Sequence, residues 1–417
     1  MYSRFRPLFA FAAVLLLPAL LPAAVVGTNV PARPLTAERI HALPAAEQPA
    51  WHRYLAQSRA QAALDQATLA AELKAAGLTE PLVPAKGRGV ALNQPAAFWP
   101  GPAAARIADI VVSFQTPAGG WNKNTDLTTA PRRPGERSGH EAGYVGTIDN
   151  DATITPLRFL AKTITAAGPT HARTDPWRSS FTRGVDYLLA AQYPNGGWPQ
   201  VFPLEGGYHD AITFNDGAMI NVLTLLHELA AARAEFAFVP AELRTRAAAS
   251  AARGLGCTLA SQISVNGRRT AWCQQVDVLS LAPVGARNYE MAAHSAGESA
   301  GIVLFLMALP DPSPAAVAAV HAAAAWFQKT PLRDVAFRPA PDGTGRKLLP
   351  APGAGPLWPR YAEIGTDRPL FGDRDLTIHD NVNEISAERR NGYAWFGDAP
   401  KRTLDRYAQW AQAHPAK

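Results

Sequence analysis

The stretch Gln192-Tyr193-Pro194-Asn195-Gly196-Gly197-Trp198-Pro199-Gln200 decides the fold, because its elements recur along the chain at similar spacing. In three clear copies, an arginine (Arg106, Arg183 or Arg253) stands nine residues before a glutamine, and a glycine-containing turn and a tryptophan follow. The copies comprise Gln115 with Gly119-Gly120-Trp121, Gln192 with Gly196-Gly197-Trp198, Gln262 with Gly267 and Trp272, and an eroded Ala324-Ala325-Trp326-Phe327-Gln328. Such repetition is typical of a fold that repeats one supersecondary unit.

Further helices are predicted between the copies, in residues 152–166, 216–232, 241–254 and 299–309. Two helices per unit, repeating at about 70 residues, predict a mainly α fold: an incomplete α/α toroid built of helical hairpins. The turns are expected to meet at one end of the ring and to line a groove. The repeated glutamine can bond carbonyls at a helix end, and glycine supplies the left-handed conformation found there. Trp121 and Trp198 either staple helix ends or line the groove.

The two ends of the chain differ from this pattern. Residues 28–100 predict a linker and an N-terminal helical segment, whereas residues 101–417 predict the toroid domain. After residue 330 the helical pattern weakens, and residues 357–361 and 368–371 predict short strands. The C-terminal part is therefore expected to be less regular, with short strands and two last helices at residues 383–390 and 404–413.

Residues 1–27 predict a secretory signal peptide. Arg4 and Arg6 form a basic start, residues 8–21 are apolar, and Pro22-Ala23-Ala24 offers small residues for cleavage. The apolar run is shorter than a membrane span requires, although a membrane anchor is the alternative interpretation. We therefore expect a periplasmic or secreted protein that has no membrane contact after cleavage.

Charge and cysteine content restrict the function only broadly. Without Arg4 and Arg6, the 40 basic residues become 38, against 34 acidic ones. This modest excess suits a polyanionic ligand, and no basic block or Cys/His finger spacing indicates nucleic-acid binding. Cys257 and Cys273 are the only cysteines; either they form a disulfide, which export permits, or they are two buried thiols.

Acidic residues concentrate in two predicted turns. Asp149 and Asp151 lie in Thr147-Ile148-Asp149-Asn150-Asp151-Ala152-Thr153, and Asp216 ends the stretch from Tyr208. Either they cap the helices that follow, or they share a ligand. Three carboxylates at one end of a ring repel one another unless a cation lies between them, and Ca²⁺ prefers oxygen ligands. The twelve-residue spacing of an EF-hand is absent.

Several motifs together carry a family resemblance. They are Gly119-Gly120-Trp121-Asn122-Lys123-Asn124, residues 147–153, 192–200 and 212–216, Thr270-Ala271-Trp272-Cys273-Gln274-Gln275, Leu281-Ala282-Pro283 with Ala286-Arg287, and Glu388-Arg389-Arg390-Asn391-Gly392-Tyr393-Ala394-Trp395. In this order they resemble family 10 polysaccharide lyases, which are pectate lyases with an α/α-toroid fold. Two segments depart from that family. Gly372-Asp373-Arg374-Asp375-Leu376 replaces Ser-Gly-Arg-Asp-Gly, and His294-Ser295-Ala296-Gly297-Glu298-Ser299 replaces Leu-Ser-Gly-x-Glu-Ser.

The resemblance implies a role for each matching residue. It implies that Arg287 is the catalytic base and that Arg360 and Arg374 hold substrate carboxylates. It places Asp149, Asp151 and Asp216 near calcium and the substrate carboxylates. Lys123, Asn215 and His209 are expected as further groove contacts. The implied protein is a monomeric pectate lyase that cleaves polygalacturonate with the help of Ca²⁺.

The chemistry of β-elimination accounts for these residue types. A base removes the proton next to a uronate carboxylate, and cationic groups stabilise the charge that develops there. A neutral guanidine is costly at neutral pH, because arginine has an ordinary pKa of about 12.5–13.8. Neighbouring arginine and calcium charges are expected to lower that pKa, so an alkaline activity optimum is expected.

Other functions fit parts of the pattern. An inverting glycoside hydrolase would use Asp149 or Asp151 with Glu298 or Asp216 as acid and base. A non-catalytic protein that binds acidic polysaccharide is suggested by the altered segment around Arg374. A terpene-type cyclase is disfavoured by the predicted signal peptide, the polar turns and the lack of an acidic initiator motif.

Overall fold

The computed structural model describes residues 25–143, 145–168 and 173–416. In this part of the chain the α-helices are α1 Ala37–His41, α2 Gln48–Ala76, α3 Pro102–Ser113, α4 Ile154–Ala167, α5 Thr174–Ala191, α6 Ala218–Ala230, α7 Ala241–Ala260, α8 Ala296–Met307, α9 Pro314–Lys329, α10 Ala387–Gly392 and α11 Ala399–Ala413. The strands are β1 Val25–Thr28, β2 Ile212–Thr213, β3 Ser264–Val265, β4 Arg268–Arg269, β5 Gln275–Val276, β6 His294–Ser295, β7 Val335–Pro339, β8 Arg346–Pro350, β9 Trp358–Pro359, β10 Tyr361–Ala362, β11 Pro369–Gly372, β12 Thr377–His379 and β13 Phe396–Gly397.

The helices form two layers. Helices α3, α5, α7 and α9 contact one another in that order, and α4, α6, α8 and α11 form the second series. Within each hairpin the two series pack together, as in the pairs α4–α5, α6–α7 and α8–α9. This arrangement confirms the predicted incomplete α/α toroid of helical hairpins.

A less regular part, also as predicted, follows the helices. Strands β1, β12, β11, β10 and β6 form one antiparallel sheet in that order, and β7 and β8 form a separate hairpin. Strand β6 runs directly into α8, so the sheet is joined to the helical ring at this point.

Four buried tryptophans occupy equivalent places in the ring. The indole N–H of each donates to a carbonyl in the last turn of α3, α5, α7 or α9. The pairs are Trp121 with Val111 (2.8 Å), Trp198 with Leu188 (2.7 Å), Trp272 with Thr258 (2.7 Å) and Trp358 with Phe327 (3.0 Å). Trp121 and Trp198 are fully buried, so of the two interpretations the stapling one is correct and the groove-lining one is wrong.

The repeated glutamine joins each unit to the next one. Gln115 Nε2 donates to Gly119 O in its own turn and to Ser180 O in α5. Gln192 does the same with Gly196 and Ser250 of α7, and Gln262 with Thr270 and Ala319 of α9. In the eroded fourth copy Gln328 is exposed. The fourth helix-end contact comes from Trp358, whereas Trp326 donates to Asp367 Oδ1 instead.

We expect Gln192→Ala to lower the free energy of unfolding by about 2–4 kcal/mol, because Gln192 is buried and its loss removes the hydrogen bonds to Gly196 O and Ser250 O together with those that its own oxygen accepts from Ser250 and Arg253. Gln57→Ala, on an exposed face of α2, is the matched control and should change it by less than about 0.5 kcal/mol. Denaturant unfolding of both variants checks this. Equal effects at the two positions would contradict the joining role of the repeated glutamine.

The N-terminal segment packs against the ring. On α2, the Tyr54 hydroxyl donates to Ala191 O at the end of α5 (2.9 Å), and the Tyr54 ring lies against Tyr193. The division into an N-terminal segment and a toroid domain at residue 100 stays a prediction. Most of the predicted signal peptide, residues 1–24, lies outside the described residues.

Two other sequence expectations can be compared with the structure. Cys257 and Cys273 are free and buried, so the thiol alternative holds here, and burial raises the pKa of the Cys257 thiol to about 12. Each helix within residues 25–143, 145–168 and 173–416 is either too short or too polar to cross a membrane.

Candidate active site

Two turns with the same hydrogen-bond pattern form one side of the site. Thr147 and Thr213 each accept, through the hydroxyl, the backbone N–H two residues later, at 3.0 and 3.3 Å. A single 3-10 turn follows in each case, Asp149–Asp151 and Asn215–Gly217. The two turns contact each other at the end of the ring, so the repeat brings two carboxylate–amide pairs, Asp149–Asn150 and Asn215–Asp216, to one place.

These turns line a cleft together with the loop that carries Arg287. The cleft has a volume of about 80 Å³, and five of the nine predicted site residues line it: Lys123, Asp149, Asn215, Asp216 and Arg287. Arg360 lies beside the residues that line this cleft. Its guanidinium donates to Asn215 Oδ1 (3.1 Å) and lies 3.8 Å from Asp216 Oδ1.

Asp149 is a buried carboxylate in which only one of the two oxygens has a partner. Lys123 Nζ lies 2.6 Å from Asp149 Oδ2, whereas Asp149 Oδ1 has no hydrogen-bond partner. His209 lies close enough to Lys123 and Asp149 to interact with their charges. Burial lowers the pKa of His209, and the Lys123 charge lowers it further. The His209 ring lies 4.1 Å from the ring of Tyr208, which lines the cleft.

Asp216 and Asp151 have different surroundings although both follow a similar turn. Burial raises the pKa of Asp216; Arg360 lowers it, and the charges of Glu298 and Asp149 raise it. Asp151 accepts a hydrogen bond from Asn221 Nδ2 at 2.6 Å and lines a neighbouring cleft bounded by Arg88. Thus Asp149 and Asp216 share the central cleft, and the structure does not place Asp151 with them.

Arg287 is held by the glutamate three residues later. Its Nε donates to Glu290 Oε2 at 2.9 Å, and its Nη2 donates to Glu290 Oε1. Burial lowers the pKa of the Arg287 guanidinium, but the hydrogen bonds and charge of Glu290 outweigh burial and raise it above its ordinary value. Among the protein groups, the Glu290 carboxylate and not a neighbouring arginine therefore determines the direction of this pKa shift. The expected effect of calcium on the Arg287 pKa stays a prediction.

Arg360 is more deeply buried than Arg287. Its side chain is 14% exposed, and Nη2 donates to Glu298 Oε1 at 2.7 Å. Burial lowers its pKa, but the charges around it, Glu298 foremost, raise the pKa above the ordinary value. The guanidinium lies 4.8 Å from the Tyr393 ring, and that of Arg287 lies 5.7 Å from the same ring.

Arg374 lies at the exposed end of this series. It pairs with Glu388 (3.0 Å) and lies 5.5 Å from the Tyr289 ring, which Arg287 approaches to 5.1 Å. Tyr289 and Tyr393 therefore connect the guanidinium groups of Arg287, Arg360 and Arg374. The three arginines come from distant loops and converge on one region.

Comparisons with known proteins identify the family. The sequence model of the pectic acid lyase family matches residues 115–404. The chain belongs to this family. A family 10 polysaccharide lyase from Cellvibrio cellulosa is 34% identical, with a TM-score of 0.66, over 78% of this chain and 99% of its own.

A second solved structure resembles this pectate lyase equally well. It is a mutant of the family 10 polysaccharide lyase from Cellvibrio cellulosa in complex with trigalacturonic acid. It is 34% identical, with a TM-score of 0.65, over 77% of this chain and 97% of its own. No curated protein sequence matches the chain.

The structure of this pectate lyase adds residues to which the sequence reasoning gave no role. Glu290 holds Arg287, and Tyr393 donates its hydroxyl to Glu290 Oε1 at 2.7 Å. Arg389 lies 4.4 Å from the Tyr289 ring. Tyr289 and Glu290 stand in the same short motif as Arg287, so the motif contained a signal for both. The hydrolase alternative gives Glu298 a role as acid or base, whereas in the structure Glu298 accepts a hydrogen bond from Arg360.

The acidic residues fit calcium only in part. Among the residues that the structure describes, no three His, Cys, Asp or Glu side chains form a group that could hold a metal. Asp149 and Asp216 nevertheless supply two carboxylates in one cleft, and Asp149 Oδ1 lacks a partner. Because Ca²⁺ takes 6–8 oxygen ligands, these two residues fit a site that substrate carboxylates and water complete.

Proposed function

We propose that this pectate lyase is a secreted, monomeric enzyme that cleaves polygalacturonate by calcium-assisted β-elimination, with Arg287 as the base and 4,5-unsaturated oligogalacturonides as products. The observation that carries the proposal is the convergence of the Arg287, Arg360 and Arg374 guanidiniums along Tyr289 and Tyr393, beside the cleft of Asp149 and Asp216. The relative solved with trigalacturonic acid supports the choice of substrate.

The arginines account for how a uronate unit would be bound. A planar guanidinium can donate two parallel hydrogen bonds to a carboxylate, which fixes its orientation. Arg360 is held by Glu298 and Asn215, so its position is determined before substrate arrives. Such preorganised cations stabilise negative charge that develops on the carboxylate when the neighbouring carbon loses its proton.

Arg287 would take that proton. The C5–H electron pair becomes the new C4–C5 double bond, the C4–O bond breaks, and the leaving oxygen takes a proton from solvent water. Asp149 and Asp216 would hold Ca²⁺, which supplies positive charge to the substrate carboxylates when bound. Arg287 must first be unprotonated, and Glu290 opposes this, so we expect activity to rise toward alkaline pH.

The test is incubation with polygalacturonate and Ca²⁺ at alkaline pH, with the ultraviolet absorbance of the unsaturated product as the readout. A pectate lyase produces this absorbance as the polymer is cut. An inverting hydrolase would release reducing ends without it, and a binding protein would do neither; either result would overturn the proposal.

Glu290→Gln is expected to move the alkaline rise of kcat to lower pH by about one unit, since glutamine removes the negative charge that raises the Arg287 pKa. Arg287 is 43% exposed, and solvent screening limits the shift to that size. A pH profile of kcat measures it. Glu388→Gln, which affects Arg374 instead, is the control and should leave the profile in place. An unshifted profile for Glu290→Gln would mean that Arg287 acts as a fixed cation.

A further inference from the structure

The first described residues of the chain lie against the loops that carry Arg287 and Arg374. We call residues 25–32 the N-terminal strap. Its strand β1 pairs with β12 through Val25 with His379 and Thr28 with Thr377. Because Arg374 stands in the turn between β11 and β12, the strap adds a strand beside the base of that turn.

Asn29 connects the strap to both loops. Its side-chain amide donates to Arg287 O (2.8 Å) and to Asn288 O (3.0 Å), and its backbone N–H donates to Leu376 O (2.8 Å). Asn29 is 3% exposed, so water does not replace these bonds easily. Asn288 in turn donates its side-chain amide to Arg374 O at 2.8 Å.

The contact between strap and loop is close along its length. Ala32 N–H donates to Gly285 O at 2.8 Å. A Cβ atom on Gly285 would lie 2.3 Å from Asn29 Oδ1 and 2.7 Å from Val30 O. Glycine at position 285 is thus what allows the strap to approach the loop just before Arg287.

We propose that Asn29 is a positioning residue for this pectate lyase: it fixes the backbone of the Arg287 loop relative to the Arg374 loop. The proposal rests on the role proposed above for Arg287. Asn29 lies outside residues 115–404, the part that the family model matches. The residue that positions the Arg287 loop therefore comes from a segment outside the family core.

The proposal has a consequence for export. The predicted signal peptide offers Pro22-Ala23-Ala24 for cleavage, and β1 begins at Val25. Cleavage directly after Ala24 leaves the strap complete, whereas cleavage after Gly27 removes three of the four β1 residues. The strap therefore requires cleavage at Ala24 or earlier, which the intact mass of the exported protein reveals.

The test compares Asn29→Ala and Asn29→Asp with wild type on polygalacturonate. Both variants lose the two donated bonds, and the aspartate keeps the shape of the side chain. We expect kcat to fall by about 10–100-fold in both, with KM changed much less, because a small displacement of a reacting group has effects of this size. Val30→Ala is the control, since Val30 is 74% exposed in the same strap, and it should keep wild-type kcat.

Two outcomes would overturn the proposal. Full kcat in Asn29→Asp would show that the donated bonds do not matter. A lower thermal midpoint with unchanged kcat below that midpoint would show a merely structural role. Asn29→Ser, which keeps one donor, replaces Asn29→Ala if that variant does not fold. An inactive wild type would instead contradict the proposed function.

Discussion

Arg287→Ala is expected to lower kcat on polygalacturonate by about 10³-fold while KM changes by less than about tenfold. The substitution removes the proposed base and one cation beside the developing charge. Arg360 and Arg374 remain, and both can still hold substrate carboxylates, so binding should persist. Initial rates from product absorbance over a range of substrate concentrations separate the two parameters.

Arg374→Ala is the matched control for this experiment. Arg374 approaches the same Tyr289 ring as Arg287, but it is 61% exposed and paired with Glu388. Its loss should therefore raise KM more than it lowers kcat. If Arg374→Ala lowered kcat as strongly as Arg287→Ala, the two arginines would have equivalent roles, and Arg287 would not be the base.

A second control addresses folding. Glu290 is buried, and Arg287→Ala leaves its carboxylate without its cationic partner, which destabilises a protein strongly. Burial raises the pKa of Glu290, but the hydrogen bonds and charge of Arg287 outweigh burial and keep it below the usual range. Combining Arg287→Ala with Glu290→Gln removes the unpaired charge. The double variant should be more stable than Arg287→Ala and equally slow.

The ring could be predicted from the sequence because each repeat contains the residues that determine its own local structure. Gln192, Gly196 and Trp198 lie close together in the chain, and the turn that they form determines where a helix ends. What the spacing cannot show is the partner of each group. Gln192 donates to Ser250, 58 residues later, and that distance is bridged only when neighbouring units pack together.

The structure brings several of the predicted site residues into one cleft, but backbone geometry separates two that are close in sequence. Asp149 and Asp151 stand two residues apart, and the sequence gives no reason to separate them. In the structure Asn150 and Asp151 both have positive φ, at 50° and 58°, and Asp151 lines the neighbouring cleft. Left-handed conformations outside glycine are uncommon, so the spacing alone did not predict this change of direction.

The neighbours of the arginines could not be predicted for a different reason. Tyr393 lies between Arg287 and Arg360 in space, but it is more than 100 residues from Arg287 in sequence. Glu290 is close in sequence, and the motif displayed it, yet its effect on the pKa of Arg287 depends on burial and on two hydrogen bonds. The effect of a neighbouring charge on a pKa depends on how the side chains pack, and a single sequence does not show this packing.

Removal of calcium with a chelator is expected to lower kcat/KM on polygalacturonate by about 10²-fold or more, and added Ca²⁺ should restore it. Asp149 and Asp216 are the two aspartates that line the shared cleft, whereas its glutamate, Glu290, is paired with Arg287. Asp216→Asn should therefore raise the calcium concentration for half-maximal activity by about tenfold. Calcium titrations of the two proteins at fixed substrate concentration measure the difference. Calorimetric titration of calcium into protein with a short oligogalacturonide gives the same comparison without turnover.

Asp151→Asn is the control that makes this comparison decisive. The same charge is removed two residues from Asp149, but the Asp151 carboxylate accepts a hydrogen bond from Asn221 and lines the neighbouring cleft. Its calcium requirement should therefore stay close to that of wild type. A larger calcium requirement for Asp151→Asn than for Asp216→Asn would place the ion in the other cleft, and the pairing of Asp149 with Asp216 would then be wrong.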